Sequence, residues 1–225
     1  MKGKVFGVAI VLALVIAMMA SVSCSSSPTT PEATATATAT ATPLPLYGFE
    51  TDQVSSWALS DQADEIACTN LAWDSTPANA YQGSGSVSMD ASYVGVIGTA
   101  NTAKGGIQFT NGGSVFSLAG KTISFWVNIP AALVDATNPY GVKIGINSNA
   151  WGNYNQKYFN ITASGWQKFS WNLATEQATC GGAPCPLAAG TDLATAQKLS
   201  LIIGKGTGSP DSGAVVLRFD NIDWH

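Results

Sequence analysis

The sequence predicts an all-β fold, two antiparallel sheets packed as a sandwich, formed by residues 46–225 behind an exported leader and a disordered tether. Three observations carry this reading. Apolar residues recur at every second position in run after run, which puts one set in a core and the other on an outer face. Clusters of Gly, Asn and Pro separate the runs. Helical spacing is confined to residues 192–198, with Asp192 or Thr191 as its N-cap.

The strands follow in order. Val87 and Met89 alternate with Ser and Asp over residues 83–90. Ile123, Phe125, Val127 and Ile129 alternate with Ser124, Trp126 and Asn128. Val142, Ile144 and Ile146 alternate with Lys143, Gly145 and Asn147. Phe169, Trp171 and Leu173 alternate with Lys168, Ser170 and Asn172. Leu199, Leu201 and Ile203 alternate with Ser200, Ile202 and Gly204, and Val215, Leu217 and Phe219 with Val216, Arg218 and Asp220. Short strands with turn-rich joints make a sandwich.

Charge narrows the function. Charged residues are 11% of the 225, and Lys+Arg 10 against Asp+Glu 14 gives a net −4. A nucleic-acid binder needs a basic stripe to neutralise phosphates, and none is present. The one histidine is His225, which argues against a Ser-His-Asp triad, a Cys-His pair or a histidine-built zinc site.

Lys2 and Lys4 precede an uncharged apolar run over residues 5–20, then Ser21, Val22, Ser23 and Cys24. This is a secretory signal, too short for a membrane span. Its end resembles a bacterial lipoprotein lipobox, with Ser21 where such leaders usually carry Leu. The resemblance implies that residues 1–23 are removed and that Cys24 is acylated and becomes the mature N-terminus. The protein would then be exported and held at the cell surface or in the periplasm, touching membrane through a lipid anchor only. Ordinary cleavage near Ser23 is the alternative. Residues 25–45 are Ser, Thr, Ala and Pro with the single charge Glu32, a composition that cannot offset the entropy of ordering. Extended at about 3 Å per residue, this tether holds a domain up to ~60 Å from its anchor.

Five stretches in order bring a family into view: residues 47–50 (Tyr-Gly-Phe-Glu) with Trp57, 81–87 (Tyr-Gln-Gly-Ser-Gly-Ser-Val), 118–127 (Leu-Ala-Gly-Lys-Thr-Ile-Ser-Phe-Trp-Val), 165–171 (Gly-Trp-Gln-Lys-Phe-Ser-Trp) and 216–223 (Val-Leu-Arg-Phe-Asp-Asn-Ile-Asp). This order resembles jelly-roll carbohydrate-binding modules of the galactose-binding-like superfamily, over nearly all of residues 46–225. The resemblance implies a jelly roll, a carbohydrate ligand, and a structural Ca2+ held by Glu50 and Asp220 with backbone carbonyls. The plainer reading of Glu50 and Asp220 is two solvated carboxylates near a sheet edge.

A pyranose offers an apolar C–H face and a hydroxyl rim, matched by flat aromatics and by planar amide or charged side chains. Trp126, Asn128, Lys143, Asn147 and Arg218 are outward in phase. Residues 147–158 read as a polar loop carrying Trp151, Tyr154 and Tyr158. The expectation is a groove in which Trp126 and Trp151 form a stacking platform, Tyr154 stands beside it, and Lys143 and Asn147 reach hydroxyls. The alternatives are that the loop aromatics cap the sandwich and that a loop covers Trp126. Trp57, Trp166 and Trp171 read as core. An acidic mature chain, −6 once Lys2 and Lys4 are gone from 10 basic and 14 acidic residues, favours a neutral polysaccharide.

Cys180 and Cys185 bracket Gly-Gly-Ala-Pro, a tight loop that favours a local disulfide, although a bridge from Cys68 to either stays open. A glycosidase needs two carboxylates across a groove, and Glu50, Glu65 and Glu176 are the glutamates of residues 46–225, none outward at a strand centre. The reading is therefore a non-catalytic polysaccharide binder. A surface adhesin that binds protein is the alternative; a glycosidase, or a lyase using Lys143, Arg218 or a tyrosine, ranks lower.

Overall fold

The computed structural model describes residues 45–60, 68–94, 104–148, 153–206 and 208–225. The leader, Cys24, the tether as far as residue 44, and Trp151 lie outside the described residues. In chain order the strands are β1 (Trp57–Leu59), β2 (Cys68–Asp74), β3 (Ser86–Tyr93), β4 (Lys104–Phe109), β5 (Thr122–Ile129) and β6 (Gly141–Ser148). β7 (Tyr154–Asn160), β8 (Gly165–Asn172), β9 (Ala178–Cys180), β10 (Ala183–Cys185), β11 (Ala196–Gly204) and β12 (Gly213–Trp224) follow.

Two five-stranded antiparallel sheets form the expected all-β sandwich. Sheet A runs β1-β4-β11-β6-β7 and sheet B runs β2-β3-β12-β5-β8. The inward set of each alternation meets between them. Ile144 and Ile146 of β6 and Leu199 and Leu201 of β11 join Phe125 and Val127 of β5 and Leu217 and Phe219 of β12 in one buried cluster. Each such side chain contributes roughly 1.5–3 kcal/mol on leaving water. Trp57 and Trp171 belong to this core, as expected; Trp166 does not, being half-buried on the outer side of β8. The chain ends meet through a bridge between Tyr47 and Ile222.

Two local expectations are corrected. Residues 192–198 make no α-helix: the Asp192 carboxylate accepts the Ala194 N–H at 2.9 Å over one 3-10 turn, Leu193–Thr195, and Ala196 starts β11. Pairing with β6 supplies the ladder that seven residues of isolated helix could not match. Residues 147–158 are not one loop: β6 extends through Ser148, and Tyr154–Asn160 is the edge strand β7. A hairpin, β9-β10, lies against that edge. The Tyr158 N–H donates to Thr179 Oγ1 at 3.3 Å, and Lys157 faces Glu176 at 3.6 Å. Cys180 and Cys185 are disulfide-bonded across the hairpin, and Cys68 is a free thiol.

Candidate functional site

The residues expected to share one groove lie on two faces. Trp126 and Asn128 (β5) and Arg218 (β12) belong to sheet B; Lys143 and Asn147 (β6) and Tyr154 (β7) belong to sheet A. A period of two tells which side of its own sheet a residue occupies, not which sheet its strand joins. On sheet B the Tyr81 ring stacks on Trp126, with centroids 3.6 Å apart and planes at 13°, and Trp166 stands edge-on to Tyr81 at 6.0 Å. Trp126 is thus covered by a loop residue. Arg218 Nε donates to the Asp74 carboxylate at 3.0 Å, so its charge is matched within the protein.

The outer face of sheet A is arranged differently. In register, Lys143 stands opposite Tyr158, Gly145 opposite Gln156, and Asn147 opposite Tyr154. On the other side of β6, Ser200 of β11 is opposite Gly145 and Ile202 is opposite Lys143. Both tyrosines reach across β6. An added Cβ at Gly145 would stand 2.6 Å from the Tyr154 hydroxyl, and one at Gly141 only 2.0 Å from that of Tyr158. Any larger residue at either glycine would displace the rings.

Three buried polar atoms crowd the same stretch. Asn147 Oδ1, the Tyr154 hydroxyl and Ser200 Oγ are sealed from solvent with no hydrogen-bond partner among the described residues. Asn147 is 6% exposed and Ser200 0%. An unpaired buried polar group costs about 1–3 kcal/mol, so such groups rarely gather by accident. Burial also pushes the phenols of Tyr154 and Tyr158 up.

At one end the face opens into a cleft of about 450 Å³. Lys104 of β4, Lys143 of β6, Tyr158 and Gln156 of β7, and Thr179, Gly181 and Gly182 of the disulfide-closed hairpin line it, with Gly204, Lys205 and Gly206. Burial pulls the Lys143 ammonium down to about 8, and the positive charge of Lys104 adds to the effect. Lys104, Gln156 and Thr179 went unread in the sequence. The signal for Gln156 was there: Tyr154, Gln156 and Tyr158 sit two apart, the spacing of one strand face.

Glu50 and Asp220 converge on a third place. Asp220 Oδ2 accepts the N–H groups of Tyr81 (2.9 Å) and Gln82 (3.2 Å), and Oδ1 accepts that of Asn221 (2.7 Å). Glu50 Oε2 accepts the N–H and the hydroxyl of Ser84, both at 2.8 Å. The two carboxylates therefore pin one loop from opposite ends of the chain. The plainer reading fails for Asp220, which is fully buried, while Glu50 is exposed. Desolvation pushes its carboxyl up to about 6; three backbone donors oppose the rise, and the charge of Glu50 adds to it. Two hard oxygen donors that repel each other suit a calcium ion in kind. Among the described residues no third acid, histidine or cysteine joins them, so backbone carbonyls would complete the shell.

No family model and no curated protein matches the chain. Among solved structures it is similar to CBM28, a carbohydrate-binding module specific for non-crystalline cellulose, at 15% identity and a TM-score of 0.54, over 80% of this chain and 92% of that one. It is also similar to a carbohydrate-binding module of the β-sandwich superfamily described for promiscuous specificity, at 14% identity and a TM-score of 0.51. That match covers 80% of this chain and 61% of the other, so the chain spans about three fifths of its length. An exo-β-agarase matches at 11% identity and a TM-score of 0.50, over 81% of this chain but 25% of the enzyme. The fold of this chain is that of the β-sandwich carbohydrate-binding modules.

Proposed function

We propose that the outer face of sheet A binds a polysaccharide and that the protein is a non-catalytic binder. The observation that carries this is the gathering of Asn147 Oδ1, the Tyr154 hydroxyl and Ser200 Oγ, unpartnered and buried, beside tyrosines laid across β6. Sugar hydroxyls both donate and accept, and so can satisfy all three once the side chains that seal them move aside. Along this tract the groups are hydroxyls and amides, which suit uncharged sugar rings. The modules that share the fold, including one specific for non-crystalline cellulose, support a carbohydrate partner. Among the described residues no carboxylate lines the cleft at the end of the face, whereas glycoside hydrolysis needs a pair.

Retention on insoluble cellulose, xylan, mannan and chitin tests the reading. Retention without released sugar is the expected result. Release of reducing ends would make the protein a glycosidase, and release of unsaturated sugars a lyase. Retention on none of them, together with no binding of soluble polysaccharides, would favour the protein-binding adhesin.

Two further parts of the proposal concern anchoring and metal. The protein is an exported lipoprotein acylated at Cys24, with residues 25–45 as tether, supported by the lipobox-like leader. Cys24→Ser should move it from the membrane to the soluble fraction; unchanged partition would remove the anchor from the account. Glu50 and Asp220 hold a structural calcium, supported by their convergence on the loop of Tyr81 and Ser84. Chelation should lower the melting temperature and calcium should restore it by mass action. Polysaccharide binding should persist below the new midpoint, because Asp220 belongs to sheet B. A melting temperature indifferent to both would remove the metal.

A further inference from the structure

Three basic side chains of the fold are matched by a carboxylate. Lys157 faces Glu176, Lys205 pairs with Asp211, and Arg218 pairs with Asp74. Lys104 and Lys143 differ. Both are half-buried, both line the cleft at the end of sheet A, and among the described residues neither has an acidic partner. They stand on strands that flank β11, Lys104 in register with Gly204 and Lys143 with Ile202. Gly204 has no side chain to separate them, and the charge of Lys104 acts on Lys143. The cleft is of a size suited to a small ligand group, roughly 300–1,000 Å³ being usual. Two like charges, partly removed from water and left uncompensated in an acidic protein, are unfavourable unless an anion sits between them.

We propose that this cleft takes an anionic substituent, a carboxylate or a sulfate, carried by the polysaccharide that lies along the tyrosine tract. The inference rests on the reading of sheet A as a polysaccharide-binding face and names the class of glycan it selects: an acidic one. Overall acidity had argued for a neutral chain, but what a ligand meets is the local field, and here that field is positive. Uncharged rings lie over Tyr154, Asn147 and Ser200, while the acidic group enters between Lys104 and Lys143. The hairpin closed by Cys180 and Cys185 supplies the outer wall, through Thr179, Gly181 and Gly182.

Affinity gel electrophoresis of the full-length protein tests this with four soluble polymers: polygalacturonate, its carboxyl-reduced form, a sulfated galactan, and its desulfated form. The expected result is stronger retardation by at least one acidic polymer than by its neutral derivative, weakened by added salt. Which acidic polymer retards the protein identifies the group as carboxylate or sulfate. Lys143→Met keeps the aliphatic stem and removes a desolvated charge, so it should fold at least as well as the parent. It should lose about tenfold or more in affinity for the acidic polymer, as should Lys104→Gln. Equal retardation by acidic polymers and their neutral derivatives would overturn the inference, as would parent-like binding of both variants. Those outcomes leave intact binding of neutral polymers and its dependence on Tyr154. Binding to none of the four would overturn the inference, and only binding to none of them and to none of cellulose, xylan, mannan and chitin would overturn the underlying reading as well.

Discussion

Tyr154→Ala should reduce retention on polysaccharide by more than about tenfold, equivalent to ~2 kcal/mol, the scale on which stacking anchors at binding sites act. The fold should survive, because Tyr154 lies on the outward side of an edge strand and is no member of the core cluster. Tyr154→Phe is the sharper variant. It deletes a buried hydroxyl that has no partner within the described residues, so stability should hold or rise while binding falls. A merely structural tyrosine would show no such split. Trp126→Ala, on the other sheet and under Tyr81, should leave retention unchanged. Retention assays with a circular dichroism control check all three. Loss of binding in Trp126→Ala with a parent-like Tyr154→Ala would move the site to sheet B.

Trp171→Ala should have the largest effect on stability. Trp171 is fully buried on β8, in register with Ile123, and its indole N–H donates to the Glu176 carbonyl at 3.3 Å. Truncating such a side chain typically costs about 3–5 kcal/mol, against a domain stability of roughly 5–15 kcal/mol. Urea denaturation should show the midpoint falling steeply. A shift below ~1 kcal/mol would contradict the packing of sheet B described above.

The legible parts of the fold were those where one face is buried and the other wet. Strands β5, β6 and β11 announce themselves through Val, Ile, Leu and Phe at alternate positions, and those residues form the core. β7 was obscured because its inward partners are Asn155, Lys157 and Phe159, polar enough for an edge strand to read as a loop. The helical hint at residues 192–198 was a local preference overridden by pairing with β6. At the site, Lys143 and Asn147 were legible as outward residues and Tyr154 only as a loop aromatic, and the structure brings the three onto one face. Trp126, Asn128 and Arg218 were equally outward, but their strands belong to the other sheet. Sheet membership comes from long-range pairing, which no short window of sequence carries. The same limit hid Lys104, which reaches the cleft only because β4 pairs with β11.

The central claim is that the ligand lies on the outer face of sheet A. Amide chemical-shift mapping during titration with soluble oligosaccharides tests it most directly. Perturbations should gather on β6, β7 and β11 around Asn147, Tyr154 and Ser200, running on toward Lys143 and Lys104. Perturbations gathered instead around Tyr81, Trp126 and Trp166, with sheet A silent, would contradict it.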